Sequence, residues 1–142
     1  MKGNLEKFQK ILIEHGMRVT LQRLVLLAEF YEKKEHPSAE EIWQRLKKRF
    51  PSISRATVYN ILNAFEEKGI VIPLNTPYCT RYDFNNTLHS HFICQNCGKI
   101  IDIDIKEEIL CKFKLEGKKI EKIDIQFYGY CEDCLKVIDK NE

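Results

Sequence analysis

The chain has 142 residues, of which 44% are hydrophobic and 31% charged, with a formal net charge of +2. That length suits one ordinary domain or two small ones, and the composition is that of a soluble globular protein. No apolar run is long enough to span a bilayer, and the start, MKGNLEKFQK, lacks the apolar core of a signal peptide. A cytoplasmic protein with no membrane partner is therefore expected. Its six cysteines then read as metal ligands or free thiols rather than a disulfide framework. Residues 1–83 hold 14 Lys and Arg against 10 Asp and Glu, whereas residues 84–142 hold 9 against 11. A polyanion-facing N-terminal half and ordinary scatter of surface charge both account for that split.

In chain order, Leu5, Phe8, Ile11 and Leu12 follow helical spacing, and Gly16 offers a stop. Thr20 caps a second predicted helix whose apolar face is Leu21, Leu24, Val25, Leu27 and Ala28. Ser38-Ala39-Glu40-Glu41 reads as a capping box opening a third, which carries Ile42, Trp43 and Leu46 inward. Phe50-Pro51 ends it, because the residue before proline is pushed out of the helical region. Ser54 starts a fourth, with Val58, Ile61, Leu62 and Phe65 in one stripe before Gly69. Short strands follow at residues 70–72 and 79–83, joined by a turn at Asn75-Thr76-Pro77.

Helices followed by a hairpin predict a winged helix-turn-helix with the fourth helix in the recognition position. Opposite its apolar stripe lie Arg55, Tyr59 and Asn60, with Asn63 further along. Arginine grips phosphate or guanine, tyrosine touches a thymine methyl, and asparagine pairs with adenine in the major groove. The alternative is a helical scaffold with a solvated polar face.

The second half reads as a small metal-bearing sheet. Residues 89–93 alternate as a strand, so His89 and His91 share a side. Ile101, Ile103 and Ile105 form the apolar side of the next strand and leave Asp102 and Asp104 on the other. A short helix is predicted over 106–114, then a strand through Ile123, Ile125 and Phe127 towards Gly129. So few elements cannot hide both faces alone, so a metal clip and a partner subunit, a homodimer, are expected. The overall expectation is an α+β chain divided at 1–83 and 84–142.

Cys94-Gln95-Asn96-Cys97 and Cys131-Glu132-Asp133-Cys134 repeat one spacing, and four thiolates in two such pairs can close a tetrahedral zinc shell. Free thiols are the alternative; a redox pair is disfavoured, because two pairs are present and no strand-to-helix setting frames them. Cys79 and Cys111 stand apart as ordinary thiols. His89 and His91, with the carboxylates Asp83 and Asp102, make a nitrogen and oxygen set that suits Fe(II), Mn(II) or zinc. His36, just before the third helix, is a further candidate, while His15 reads as a surface residue. A zinc hydrolase built on His89 and His91 would lack a clear general base and an open zinc position, so an enzyme is not expected. A zinc-ribbon module that binds protein rather than DNA is the other competing class.

With Arg18-Val19-Thr20-Leu21-Gln22-Arg23, His36-Pro37-Ser38-Ala39-Glu40-Glu41-Ile42, Ser54-Arg55-Ala56-Thr57-Val58-Tyr59, Arg81-Tyr82-Asp83, His89-Ser90-His91 and both Cys-x-x-Cys pairs, the chain resembles the ferric uptake regulator (Fur) family over essentially its whole length. The resemblance implies a dimeric, metal-dependent repressor that binds double-stranded operator DNA. It implies a winged-helix DNA-binding domain at 1–83, with Arg18, Arg55, Tyr59 and Asn60 as DNA-facing residues, and an α/β dimerisation domain at 84–142. Structural zinc is implied at Cys94, Cys97, Cys131 and Cys134, and a regulatory Fe(II) or Mn(II) at His36, Asp83, His89, His91 and Asp102. Two details lean to the peroxide-sensing (PerR-like) branch. Asp83 and Asp102 stand where the iron-sensing branch usually has glutamates, and Asn60 follows Tyr59 where that branch usually has arginine. The same resemblance implies that His36 or His89 is oxidised when the Fe(II) form meets hydrogen peroxide. An iron- or zinc-responsive repressor without peroxide sensing is the alternative. Ser90 replaces an acidic residue that often helps form an additional metal site, so that extra site is not expected.

Overall fold

The computed structural model describes residues 2–32, 35–84, 89–113, 115–120 and 123–140. The chain divides into two compact units, Met1–Pro73 with Thr80–Asn85, and Leu74–Cys79 with Asn86–Glu142.

Unit 1 holds α1 (Lys2–Glu14), α2 (Leu21–Glu32), α3 (Ala39–Arg49), α4 (Arg55–Glu67), the first three residues of the strand β1 (Val71–Asn75) and the strand β2 (Thr80–Phe84); β1 and β2 pair as a two-stranded sheet. This is a winged helix-turn-helix. Helices α2, α3 and α4 start where the sequence supplies a cap. Thr20 Oγ1 accepts from the Arg23 N–H at 3.3 Å, and Ser54 Oγ from the Thr57 N–H at 3.1 Å. Ser38 and Glu41 form the full capping box, each side chain serving the other's backbone N–H at 3.2 and 3.4 Å. Phe50 ends α3, as the following proline requires. Gly69 takes φ +76°, a left-handed turn that frees the chain to leave α4 and enter β1.

The core of unit 1 forms around Leu12, Leu26, Leu27, Ile42, Leu46, Val58, Leu62 and Phe65, all fully buried. Two residues of the predicted stripes lie outside the core: Leu5 is 44% and Leu21 67% exposed, while Leu26, absent from the predicted face of α2, is buried. Apolar residues occupy most of α2, so several stripes were compatible with helical periodicity and packing against the neighbouring helices chose among them.

Unit 2 contains β3 (His89–Cys94), β4 (Ile100–Asp104), α5 (Glu107–Leu110), β5 (Gln126–Gly129) and α6 (Glu132–Lys140). Its sheet has the order β4-β3-β5, with β4 antiparallel and β5 parallel to the central β3. The helix expected over 106–114 is only Glu107–Leu110; Lys106 offers no side-chain cap, and so short a segment gains few hydrogen bonds against the cost of nucleation. Lys114, at the end of the predicted span, lies outside the described residues. Ile123 and Ile125 precede the last strand rather than belonging to it. Helix α6 was not foreseen, although Glu132 and Asp133 in its first turn and Lys140 in its last match the helix dipole. Ile101 and Ile103 of β4, and Phe127 and Tyr128 of β5, are exposed.

The packing carries a direct expectation. Ser38→Ala removes one cap and should cost about 1 kcal/mol of stability, whereas Phe65→Ala opens a buried site and should cost about 3–5 kcal/mol. Urea unfolding of both variants checks the order; equal losses would contradict it.

Candidate metal centre

The two Cys-x-x-Cys pairs meet in unit 2. The sulfurs of Cys94, Cys97, Cys131 and Cys134 all lie within 4.8 Å of one another. Strand β3 delivers Cys94 at its end, and the turn after it returns Cys97. The residue just before α6 delivers Cys131, and the first turn of α6 delivers Cys134. Gly98 closes the first turn at φ +77°, with its N–H on the Cys94 carbonyl at 3.0 Å. A zinc tetrahedron with bonds of about 2.3 Å has edges of about 3.8 Å, and Cys97 Sγ to Cys131 Sγ is 3.8 Å. The donor set therefore fits zinc in spacing and in softness.

The surroundings prepare the sulfurs for a cation. Cys94 Sγ accepts from the N–H groups of Cys97 and Cys131 at 3.5 and 3.4 Å. Those amides, that of Cys97 first, bring the Cys94 thiol down to about 6 against the opposing effect of burial. At Cys134 the Asn96 side-chain amide, 3.3 Å from the sulfur, favours the thiolate, but the neighbouring Cys131 sulfur and burial outweigh it and push the thiol up to about 12. Cys97 is also raised: the Lys99 N–H favours its thiolate, and burial with the Cys94 sulfur outweighs that. Cys94 gives up its proton readily while Cys97 and Cys134 resist, as expected where thiolates would share one small volume without a counter-charge. Asn96 was not singled out in the sequence; its place between two ligand cysteines was the available signal.

Unit 2 also carries half of a second donor set. His91, 1% exposed, has Nε2 at 3.4 Å from Asp102 Oδ1. The two residues are register partners on β3 and β4, as His89 is with Asp104. The His89 ring packs edge-on against His91 with centroids 4.6 Å apart. Between them Ser90 is fully buried and donates to the Ile103 carbonyl at 3.2 Å, a structural bond in place of a ligand. In unit 1, His36 Nε2 lies 3.9 Å from Asp83 Oδ2. Each unit thus presents one imidazole–carboxylate pair, a harder set than the sulfurs and matched to Fe(II) or Mn(II).

The remaining candidates lie apart from these sites. His15, just past the end of α1, has Nδ1 2.7 Å from the Ile11 carbonyl of that helix. Cys79 and Cys111 are exposed thiols. Arg18, Arg55, Tyr59, Asn60 and Asn63 are all exposed on unit 1. Arg55 lies over the Trp43 ring at 4.3 Å and pairs with Glu40 at 2.9 Å. Trp43 is fixed in turn by its indole N–H on the Ile53 carbonyl at 3.0 Å. Glu40 was missed because nothing in its local sequence points to α4. The Tyr82 hydroxyl is raised by burial first and then by Glu66 and Tyr59 of α4.

Comparison with known proteins agrees with this geometry. The Ferric uptake regulator family profile matches residues 14–128. The chain is 36% identical over 138 residues to the peroxide operon regulator of Bacillus subtilis, covering 93% of this chain and 94% of that one. It is equally 36% identical over 140 residues to the peroxide-responsive repressor PerR of Staphylococcus aureus, covering 94% and 93%. The Helicobacter pylori ferric uptake regulator, whose structure was described as having three functional metal binding sites, superposes with a TM-score of 0.69 at 27% identity, covering 94% of this chain and 93% of that one. The two clustered Cys-x-x-Cys pairs, the winged helix and these relatives agree: the chain belongs to the ferric uptake regulator family, in its peroxide-responsive, PerR-like branch.

Proposed function

We propose that this protein is a cytoplasmic, homodimeric, metal-dependent DNA-binding repressor that senses hydrogen peroxide. The convergence of both Cys-x-x-Cys pairs beside a strand bearing His89 and His91 carries the reading, because it separates a closed sulfur site from an open nitrogen and oxygen site. Zinc at Cys94, Cys97, Cys131 and Cys134 holds unit 2 in shape, and the exposed Ile101, Ile103, Phe127 and Tyr128 supply apolar surface for a second copy. Residues 1–83 bind operator DNA through Arg18, Arg55, Tyr59 and Asn60, and residues 84–142 dimerise.

The regulatory ion, Fe(II) or Mn(II), is held by His36, Asp83, His89, His91 and Asp102. Ligands drawn from both units let occupancy select one arrangement of the DNA-binding units, provided that arrangement binds the ion more tightly. Converting an ensemble from 1:99 to 99:1 takes about 5.5 kcal/mol of differential affinity, which five ligands can supply and two histidines on one strand cannot. Fe(II) held there would supply the redox chemistry by which hydrogen peroxide oxidises a neighbouring imidazole, and Mn(II) would not. His36 or His89 would gain one peroxide oxygen on its ring in a net two-electron oxidation, the other oxygen leaving as water, and would then be a poor ligand.

Three measurements test this reading. With Fe(II) loaded, peroxide should abolish operator binding, and mass spectrometry should find a peptide containing His36 or His89 heavier by one oxygen; the Mn(II) form should show neither change. An unmodified Fe(II) form that stays on DNA would sink peroxide sensing and leave a repressor responsive to iron or zinc supply. Stripping zinc with a chelator should collapse the dimer in size-exclusion chromatography, since structural zinc contributes folding energy directly; a folded zinc-free dimer would contradict the structural role. In gel shifts, Asn60→Ala should lose about 1–3 kcal/mol of specific binding while non-specific binding persists, and Tyr59→Ala should likewise weaken specific binding. Unchanged operator affinity in both would favour a protein-binding module instead.

A further inference from the structure

Arg81 is one residue from the core tyrosine Tyr82 and two from Asp83, and its side chain is spent on groups far away in sequence. Its Nη1 donates to the carbonyl oxygen of His36 at 3.0 Å and to both carboxylate oxygens of Glu41 at 3.2 and 3.3 Å. Glu41 also accepts from the Ser38 N–H, so one carboxylate serves both the helix cap and the guanidinium. The backbone adds two more ties between the same segments: Tyr82 N–H donates to the Pro37 carbonyl at 2.9 Å, and Ser38 and Arg81 form an isolated β-bridge.

Strand alternation gives these ties their meaning. Tyr82 is 6% exposed and points into the core of unit 1. Arg81 and Asp83 therefore share the opposite side of β2, the side on which Asp83 pairs with the His36 imidazole at 3.9 Å. Arginine holds the backbone of the His36 segment while aspartate meets its ring. A charged donor on a carbonyl is stronger than a neutral hydrogen bond and has a fixed direction. The Arg81–Glu41 pair is partly exposed, with side chains 32% and 43% accessible, so its own contribution to stability is small. Its effect is on geometry.

We infer that Arg81 is a positioning residue for the regulatory metal: it fixes the His36 segment against β2 so that His36 and Asp83 are presented as a preformed pair, and through Glu41 it ties that pair to the first turn of α3. This deepens the proposed function and rests on His36 and Asp83 being ligands. Partners that orient ligands without touching the ion commonly change metal affinity about 10–100-fold. Arg81 belongs to that class but acts through the backbone of its ligand. The same guanidinium would make the start of α3 sensitive to whether the His36–Asp83 pair is held.

The test is a double-mutant cycle on the full-length, zinc-loaded protein, read as Mn(II) affinity by competition with a chelating dye. Arg81→Ala should weaken Mn(II) binding about tenfold or more, with zinc content per chain unchanged and Arg81→Lys restoring part of the loss. Once His36→Ala is present, Arg81→Ala should add little, because the residue it positions is gone; a general loss of stability would add in full. If His36→Ala alone leaves Mn(II) affinity intact, the ligand assignment falls. If His36→Ala weakens binding while Arg81→Ala does not, or the two losses add independently, the positioning role falls and the ligand assignment stands. A drop in the salt dependence of DNA binding with Mn(II) affinity unchanged would instead make Arg81 a phosphate contact and overturn the proposal.

Discussion

Four sulfurs within 4.8 Å of one another set the condition under which unit 2 exists as drawn. Among the described residues, Cys94, Cys131 and Cys134 form a buried cluster with Phe92 packed against it, so cysteine occupies positions that larger apolar side chains fill in unit 1. Sulfur packs as a small hydrophobe only while protonated. Backbone amides already pull the Cys94 thiol down to about 6, while its neighbours push Cys134 up to about 12. A divalent cation resolves the conflict by letting all four ionise together. The short strands of unit 2 leave apolar residues of β4 and β5 exposed.

Unit 1 rests on conventional packing, and its organising element is the short strand β2. Three consecutive residues act in different directions. Arg81 holds the segment before α3, Tyr82 enters the core of unit 1, and Asp83 meets His36. A strand places adjacent side chains on opposite faces, so a five-residue element can serve a helix cap, the core and a candidate metal ligand at once.

Much of this was legible because it is local. Capping boxes, proline stops and glycine ends are decided within four or five residues, and Ser38, Ser54, Phe50 and Gly69 act as their sequence context indicates. The Cys-x-x-Cys pairs were equally plain. What escaped depends on distant partners. The parallel pairing of β5 with β3 joins residues more than thirty positions apart. The guanidinium of Arg81 meets a carbonyl 45 residues earlier in the chain, and Glu40 meets Arg55 across two helices. The inward face of α2 was ambiguous for another reason: its composition is apolar nearly all round, and only the neighbours decide which leucines are covered.

The register of β3 has one more consequence. His89 and His91 share a face, and Cys94, three positions beyond His91, falls on the other. The two intervening residues, Phe92 and Ile93, therefore act as insulation between two kinds of coordination chemistry. Removing or adding one residue there would bring a thiolate round to the imidazole side, and a site with mixed sulfur and nitrogen donors would prefer zinc to Fe(II) or Mn(II). Segregating the metals then depends less on the identity of any ligand than on whether the count between them is odd or even. Insertions and deletions in this strand should be tolerated only in pairs.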